Sequence, residues 1–352
     1  MILRMLPLAV TALLLTILTI APAAASSADT AAEDSHPQRL VAVEDTRRLN
    51  LFCLGQGSPT VLLESGSGGS TADWWRIQDR LGQITRTCAY DRAGYGYSDP
   101  ARRPSDAAAA VDDLHRLIVA AHLGPRPILV GHSNGGIYAT LFAERYPGEL
   151  AGLVLVDPGF PGQQDYARYG LPPGRIAALR HWRAGLIDGA RVCLSAVKRD
   201  GPGLTTDHPD CLATPPEDPA ILRAALRDLY SRVPYEAANL SEFENSFGVD
   251  PAGATPDDKE FPRPLHTLGD LPLIVLTADH HPVPVPGFTA LETARYWTVW
   301  KQGHDRLARL STAGESRVVT GSGHFIQNDK PEAVLAAVGA IVSTVRGHRS
   351  GP

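Results

Sequence analysis

The sequence predicts an α/β fold: a mostly parallel, eight-stranded sheet with helices on both faces and a helical insertion over it. Short apolar runs alternate with helical stretches from residue 39 to 158 and again from 265 onward. Several runs, such as Gly152 to Val156, are apolar throughout, as strands buried on both faces are. Between them, residues 159–264 are rich in Pro, Asp and Arg and break the alternation.

The elements follow in order. Arg4 precedes an apolar run from Leu6 to Ile20 and then Ala-Pro-Ala-Ala-Ala at 21–25, which reads as a signal peptide cleaved after Ala25. The run is too short to span a bilayer, so no stable membrane span is expected after cleavage. Residues 26–37 are small and polar without periodicity and are expected to be a flexible leader. Strands are predicted over Arg39 to Glu44, Arg48 to Leu54 and Thr60 to Glu64, the last ending in the loop Ser65-Gly66-Ser67-Gly68-Gly69. A helix carrying Trp74, Trp75, Ile77 and Leu81 precedes a strand over Thr85 to Tyr90 and an amphipathic helix over Asp106 to Ala121. Pro127 to Val130 is a short strand running into Gly131-His132-Ser133-Asn134-Gly135, followed by a helix to 146 and the strand Gly152 to Val156. The insertion has helical stretches near 172–190 and 218–232. After it come Leu271 to Ala278, a helical stretch over 288–311, the strand Ser316 to Thr320 and the closing helix Pro331 to Val345. The expected organisation is thus signal peptide 1–25, leader 26–37, core 38–158, lid insertion 159–264 and core 265–347.

With 33 basic and 38 acidic residues, a formal net charge of −5 and no basic stripe, nothing points to nucleic acid. The excess of Arg over Lys and the abundance of Ala, Gly and Pro fit a bacterial source. Four cysteines in an exported chain imply two disulfides before they imply a metal site. Three pairings exist. Cys53 and Cys88 lie in separate strands of the first half and Cys193 and Cys211 bracket one polar loop, so those two pairs are expected.

A serine hydroxyl becomes a nucleophile only with a base in reach and a geometry that exposes it. Gly131 and Gly135, two residues either side of Ser133, fit a sharp strand-to-helix turn that does so. Backbone N–H groups of Asn134, at the helix start, and Ser67, in the glycine-rich loop, are the expected oxyanion donors. Of twelve histidines, His324 alone is glycine-flanked at the end of the final strand, in Gly321-Ser322-Gly323-His324-Phe325, and is the expected general base. Adjacent His280 and His281 lack the spacing of a metal site, so no metal or cofactor is expected. Glu236, Glu242 and Glu244 read as a solvated helix face, with an amine-binding role as the alternative.

Over about residues 39–345 the chain resembles the α/β-hydrolase family, in the branch with a lid inserted after the sixth strand. The resemblance rests on Gly66-Ser67-Gly68-Gly69, Asp91-Arg92-Ala93-Gly94-Tyr95-Gly96-Tyr97-Ser98-Asp99, the serine turn and Gly323-His324. It implies that the second and fourth strands are neighbours, which supports the Cys53–Cys88 pair, and that Asp91 to Asp99 is a structural turn. Members usually place the acid two or three residues past a glycine ending the seventh strand. Here Ala278 stands in the glycine's place and Asp279 comes early, whereas Asp157 follows the sixth strand, where a subset of members carries the acid. Asp157 is the expected acid and Asp279 the alternative.

The implied function is that of a secreted, extracellular serine hydrolase cleaving a carboxylic ester of a small or medium substrate. No nucleic-acid partner is expected, and the sequence sets no oligomeric state. An iminopeptidase-like or amidase activity and a non-catalytic binding protein on the same fold are the alternatives.

Overall fold

The computed structural model describes residues 26–201, 209–279 and 286–349. The expected signal peptide and the pair His280, His281 lie outside the described residues. Eight strands form one sheet: β1 (Arg39–Glu44), β2 (Arg47–Leu54), β3 (Val61–Glu64), β4 (Thr87–Tyr90), β5 (Ile128–His132), β6 (Gly152–Val156), β7 (Leu273–Ala278) and β8 (Gly314–Val319). Their order is β1-β2-β4-β3-β5-β6-β7-β8, antiparallel at β1/β2 and β2/β4 and parallel elsewhere. The central strands β3 and β5–β7 are buried at every residue, which accounts for the apolar runs 61–63, 128–130, 152–156 and 273–276 within them. At the edge, β8 is largely open to solvent and correspondingly mixed in sequence. Cys53 lies directly opposite Cys88 in the β2/β4 register, and the two form a disulfide with Cα atoms 4.0 Å apart.

The helices are α1 (Ser27–Glu33), α2 (Gln78–Ile84), α3 (Ala107–Ala120), α4 (Asn134–Arg145), α5 (Pro173–Asp200), α6 (Ala220–Tyr230), α7 (Val233–Phe247), α8 (Ala290–Ala308), α9 (Ile326–Asp329) and α10 (Pro331–Arg349). Because side chains alternate across a strand, each strand feeds two cores. Leu62, Leu129, Leu153, Leu155 and Val275 meet α3, α4 and α8 on one face. Val61, Val130, Val154, Val156 and Ile274 meet α2 and α10 on the other. Among the described residues, no helix is long and apolar enough to cross a membrane.

Two expectations are corrected. Residues 26–37 are not a featureless leader: Ser26 caps α1 in a reciprocal box with Asp29, and Thr30, Ala31 and Asp34 are buried. The small side chain of Ala31 lets the helix sit flush against Ala72 of the core and Leu222, Leu226 and Leu229 of α6, a fit that composition does not reveal. In the insertion, α7 follows α6 almost at once. The expected helical stretches near 172–190 and 218–232 leave it out, and its Pro234 occupies the first turn, where no N–H is needed. Helices α5, α6 and α7 all fall between β6 and β7, over the carboxyl ends of the strands, and Cys193 is bridged to Cys211.

Candidate active site

Ser133 joins β5 to α4 at φ +53°, ψ −121°, a strained conformation for a non-glycine residue that projects the side chain out of the turn. The turn closes only around glycine. A Cβ on Gly131 would lie 2.5 Å from the Gly135 carbonyl oxygen, and one on Gly135 would lie 2.5 Å from the carbonyl oxygens of Glu64 and Ser65. The Ser133 N–H donates to the Val156 carbonyl at 3.1 Å, and its carbonyl accepts from the N–H groups of Gly136 at 2.9 Å and Gly159 at 2.8 Å.

His324, on the loop from β8 to α9, places Nε2 2.9 Å from Ser133 Oγ. On the other side of the ring, Nδ1 is 2.6 Å from Asp157 Oδ2. Asp157 follows β6 at φ +39° and is fully buried. Its Oδ1 accepts from the Ala278 N–H at 3.1 Å and the Trp300 indole N–H at 3.3 Å, so the carboxylate is aimed by groups from β7 and α8. Asp279 is placed differently: its Oδ1 accepts from the N–H groups of Gly321 at 2.8 Å and Ser322 at 3.2 Å, bracing the loop that carries His324. Two further braces were not foreseen. The His132 ring donates from Nε2 to the His324 carbonyl at 3.0 Å, and Asp329 accepts from the Gly323 N–H at 2.7 Å. Behind Asp157, buried His304 donates from Nε2 to the Pro158 carbonyl at 2.8 Å and contacts Thr277 Oγ1 through Nδ1 at 2.7 Å. Burial lowers its pKa, so it serves as a neutral support.

On the opposite side of Ser133, Ser67 and Asn134 line a cavity of about 270 Å³ together with Ser133 and His324. The glycine-rich loop presses on Ser133, since a Cβ on Gly66 would lie 3.2 Å from Ser133 Cβ. Arg92 holds that loop by donating to the carbonyls of Ser65 at 2.7 Å and Gly66 at 2.8 Å, and it also reaches Glu64 at 2.8 Å and Glu242 at 3.0 Å. Glu242 in turn accepts from the Asn134 side-chain amide at 3.0 Å and the Tyr95 hydroxyl at 2.5 Å. Burial alone would raise the Glu242 pKa, but Arg92 and these hydrogen bonds outweigh it and hold the carboxylate below its ordinary value.

The expected solvated glutamate face is therefore corrected. Glu236 and Glu242 are buried, because α7 turns that side toward Arg92 and the Gly68 loop, and Glu244 alone of the three stays exposed, paired with Arg191. Asp91 accepts from the N–H groups of Thr71 and Tyr97 and from Asn50, the work of a structural turn. The role of Arg92 was not foreseen although it lies inside the quoted motif; its partner Glu242 is 150 residues away.

Comparison with known proteins gives three kinds of likeness. The sequence profile described as "Alpha/beta hydrolase family" matches residues 61–337. A (lyso)-N-acylphosphatidylethanolamine lipase of Bos taurus is 33% identical over 127 residues, 35% of this chain and 37% of the relative. Three further curated relatives are covered over only 39%, 29% and 41% of their own length. Among solved structures, a thermophilic esterase from Thermogutta terrifontis shares 20% identity at TM-score 0.54, covering 88% of this chain and 99% of that one. The epoxide hydrolase CorEH shares 20% identity at TM-score 0.60, covering 87% and 98%. At such identities these two structures show the fold alone.

Proposed function

The chain belongs to the alpha/beta hydrolase family, and from that premise we propose that it is a secreted serine hydrolase that cleaves a carboxylic ester through an acyl-enzyme. The observation that carries this reading is the line of three side chains, with Ser133 Oγ 2.9 Å from His324 Nε2 and His324 Nδ1 2.6 Å from Asp157. Ser133 Oγ adds to the ester carbonyl as its proton passes to Nε2, and Asp157 stabilises the resulting imidazolium. The backbone N–H groups of Ser67 and Asn134 receive the negative charge on the carbonyl oxygen; one such donor is worth about 3–4 kcal/mol of barrier. The C–O bond to the alcohol then breaks, and the alcohol leaves with the proton from Nε2. Water repeats the sequence on the acyl-serine, releasing the acid and restoring Ser133.

A serine at 133 argues against epoxide chemistry, which on this fold resembles an aspartate-nucleophile mechanism. The amide reading is less favoured. Among the described residues, no carboxylate side chain lines the cavity beside Ser133, while Glu242 is committed to Arg92 and Asn134. Export is supported by the apolar leader and by two disulfides. The small cavity supports a small or medium substrate.

The test is covalent labelling with a fluorophosphonate, expected on the wild type and abolished in Ser133→Ala. A folded wild type that resists labelling and turns over neither aryl acyl esters nor prolyl amides would make the chain a binding protein.

A further inference from the structure

The cavity beside Ser133 is walled by aromatic side chains, among them Trp182, Phe247, Tyr296 and Trp300, and it contains one guanidinium, that of Arg183 on α5. Arg183 is held in place from two directions. Its Nε donates to the Tyr166 hydroxyl at 3.1 Å, and that hydroxyl donates onward to Gln164 at 3.0 Å. The guanidinium carbon also lies 4.6 Å from the centre of the Phe247 ring and 4.9 Å from that of Trp182. Among the described residues, Arg183 makes that single hydrogen bond and no ion pair, so both Nη groups lack a protein acceptor. Most other arginines near the core behave otherwise: Arg47, Arg92, Arg145 and Arg175 each meet a carboxylate.

A cation fixed by aromatic rings and a phenol, with two adjacent nitrogens unused, is preorganised to bind an anion in the two-pronged manner of guanidinium groups. Its neighbours sharpen the argument. The lining supplies no carboxylate to compete for it, and the rings lower the local dielectric. One unpaired positive charge in a cavity of about 270 Å³ is matched by a small monoanion; a phosphate dianion would leave negative charge uncompensated.

We propose that Arg183 is a specificity-determining residue that binds a carboxylate on the substrate, so that the preferred ester carries a free carboxylate on its acyl or alcohol half. This assignment rests on the ester-hydrolase reading above.

Two matched pairs test it: monomethyl adipate against methyl hexanoate, with the charge on the acyl half, and 4-acetoxybenzoate against phenyl acetate, with the charge on the leaving half. For at least one pair, the ratio of kcat/KM for the anionic over the neutral ester is expected to fall tenfold or more in Arg183→Met and to recover in part in Arg183→Lys. Ratios that are the same in wild type and Arg183→Met for both pairs overturn the assignment. A second measurement needs no variant: 6-hydroxyhexanoate should protect wild-type Ser133 from fluorophosphonate labelling at concentrations where 1,6-hexanediol does not, and equal protection by the two counts against it. The same labelling separates the two levels of the reading. An unlabelled wild type removes the hydrolase, whereas a labelled one with unchanged ratios removes only the role of Arg183.

Discussion

Two carboxylates follow neighbouring strands, yet the chain uses them for different work. Asp157 faces the imidazole of His324, whereas Asp279 holds the backbone beneath it. Replacing Asp157 by Asn keeps the shape but removes the charge that supports the imidazolium and the preferred tautomer. Asp157→Asn is expected to lower kcat on an aryl ester by about 10⁴-fold, the scale of such a change in triad enzymes. Asp279→Asn keeps an oxygen that still accepts from Gly321 and should cost far less; a larger loss there would transfer the acid role to Asp279. At this scale Ser133 was legible because Gly131 and Gly135 must flank it, a steric demand written directly into the sequence, and His324 because it follows the last strand. Between the two aspartates the sequence favoured Asp157 only through the resemblance, since either satisfies the rule of following a strand. The packing of β7 and α8, which points the Ala278 N–H and the Trp300 indole at Asp157, distinguishes the surroundings of the two and could not be read from the chain. Arg183 was invisible for a related reason: nothing in the α5 sequence tells which side of a lid helix turns toward a cavity.

Helix α7 carries a titration of its own. Glu236 is 1% exposed, its Oε2 has no hydrogen-bond partner among the described residues, and burial raises its pKa from 4.5 to about 7. The folded pKa lies above the unfolded one, so the native state holds the proton more tightly. Its contribution to stability is therefore complete below about pH 4.5 and is lost as pH rises toward about 7. Glu236→Gln, which cannot lose a proton, is expected to show a smaller drop in Tm between pH 5 and pH 8 than the wild type. An equal drop in calorimetry would mean that Glu236 is charged and solvated at both pH values. The central strands were legible because complete burial keeps their runs apolar, with Glu64, His132 and Thr277 standing only toward their carboxyl ends. Helix α1, by contrast, is held by a cap and by the shape of a groove, neither of which appears as periodicity, and α7 was obscured by a proline in the one turn that tolerates it.

Across the molecule, one disulfide staples β2 to β4 and the other links α5 to the segment after it, with sequence separations of 35 and 18. Loss of a native disulfide typically costs about 2–5 kcal/mol, so reduction should lower Tm by several degrees. Identical melting curves with and without reductant would remove both bridges from the account of stability. The hydrogen bonds of Ser133 have a wider consequence. Its N–H reaches Val156 and its carbonyl receives Gly159, the residues on either side of the segment that contains Asp157. Ser133 and Asp157 are thereby riveted to one slab of sheet and cannot drift apart while those bonds last. The imidazole comes from a separate loop, whose backbone is tethered by three side chains, Asp279, His132 and Asp329.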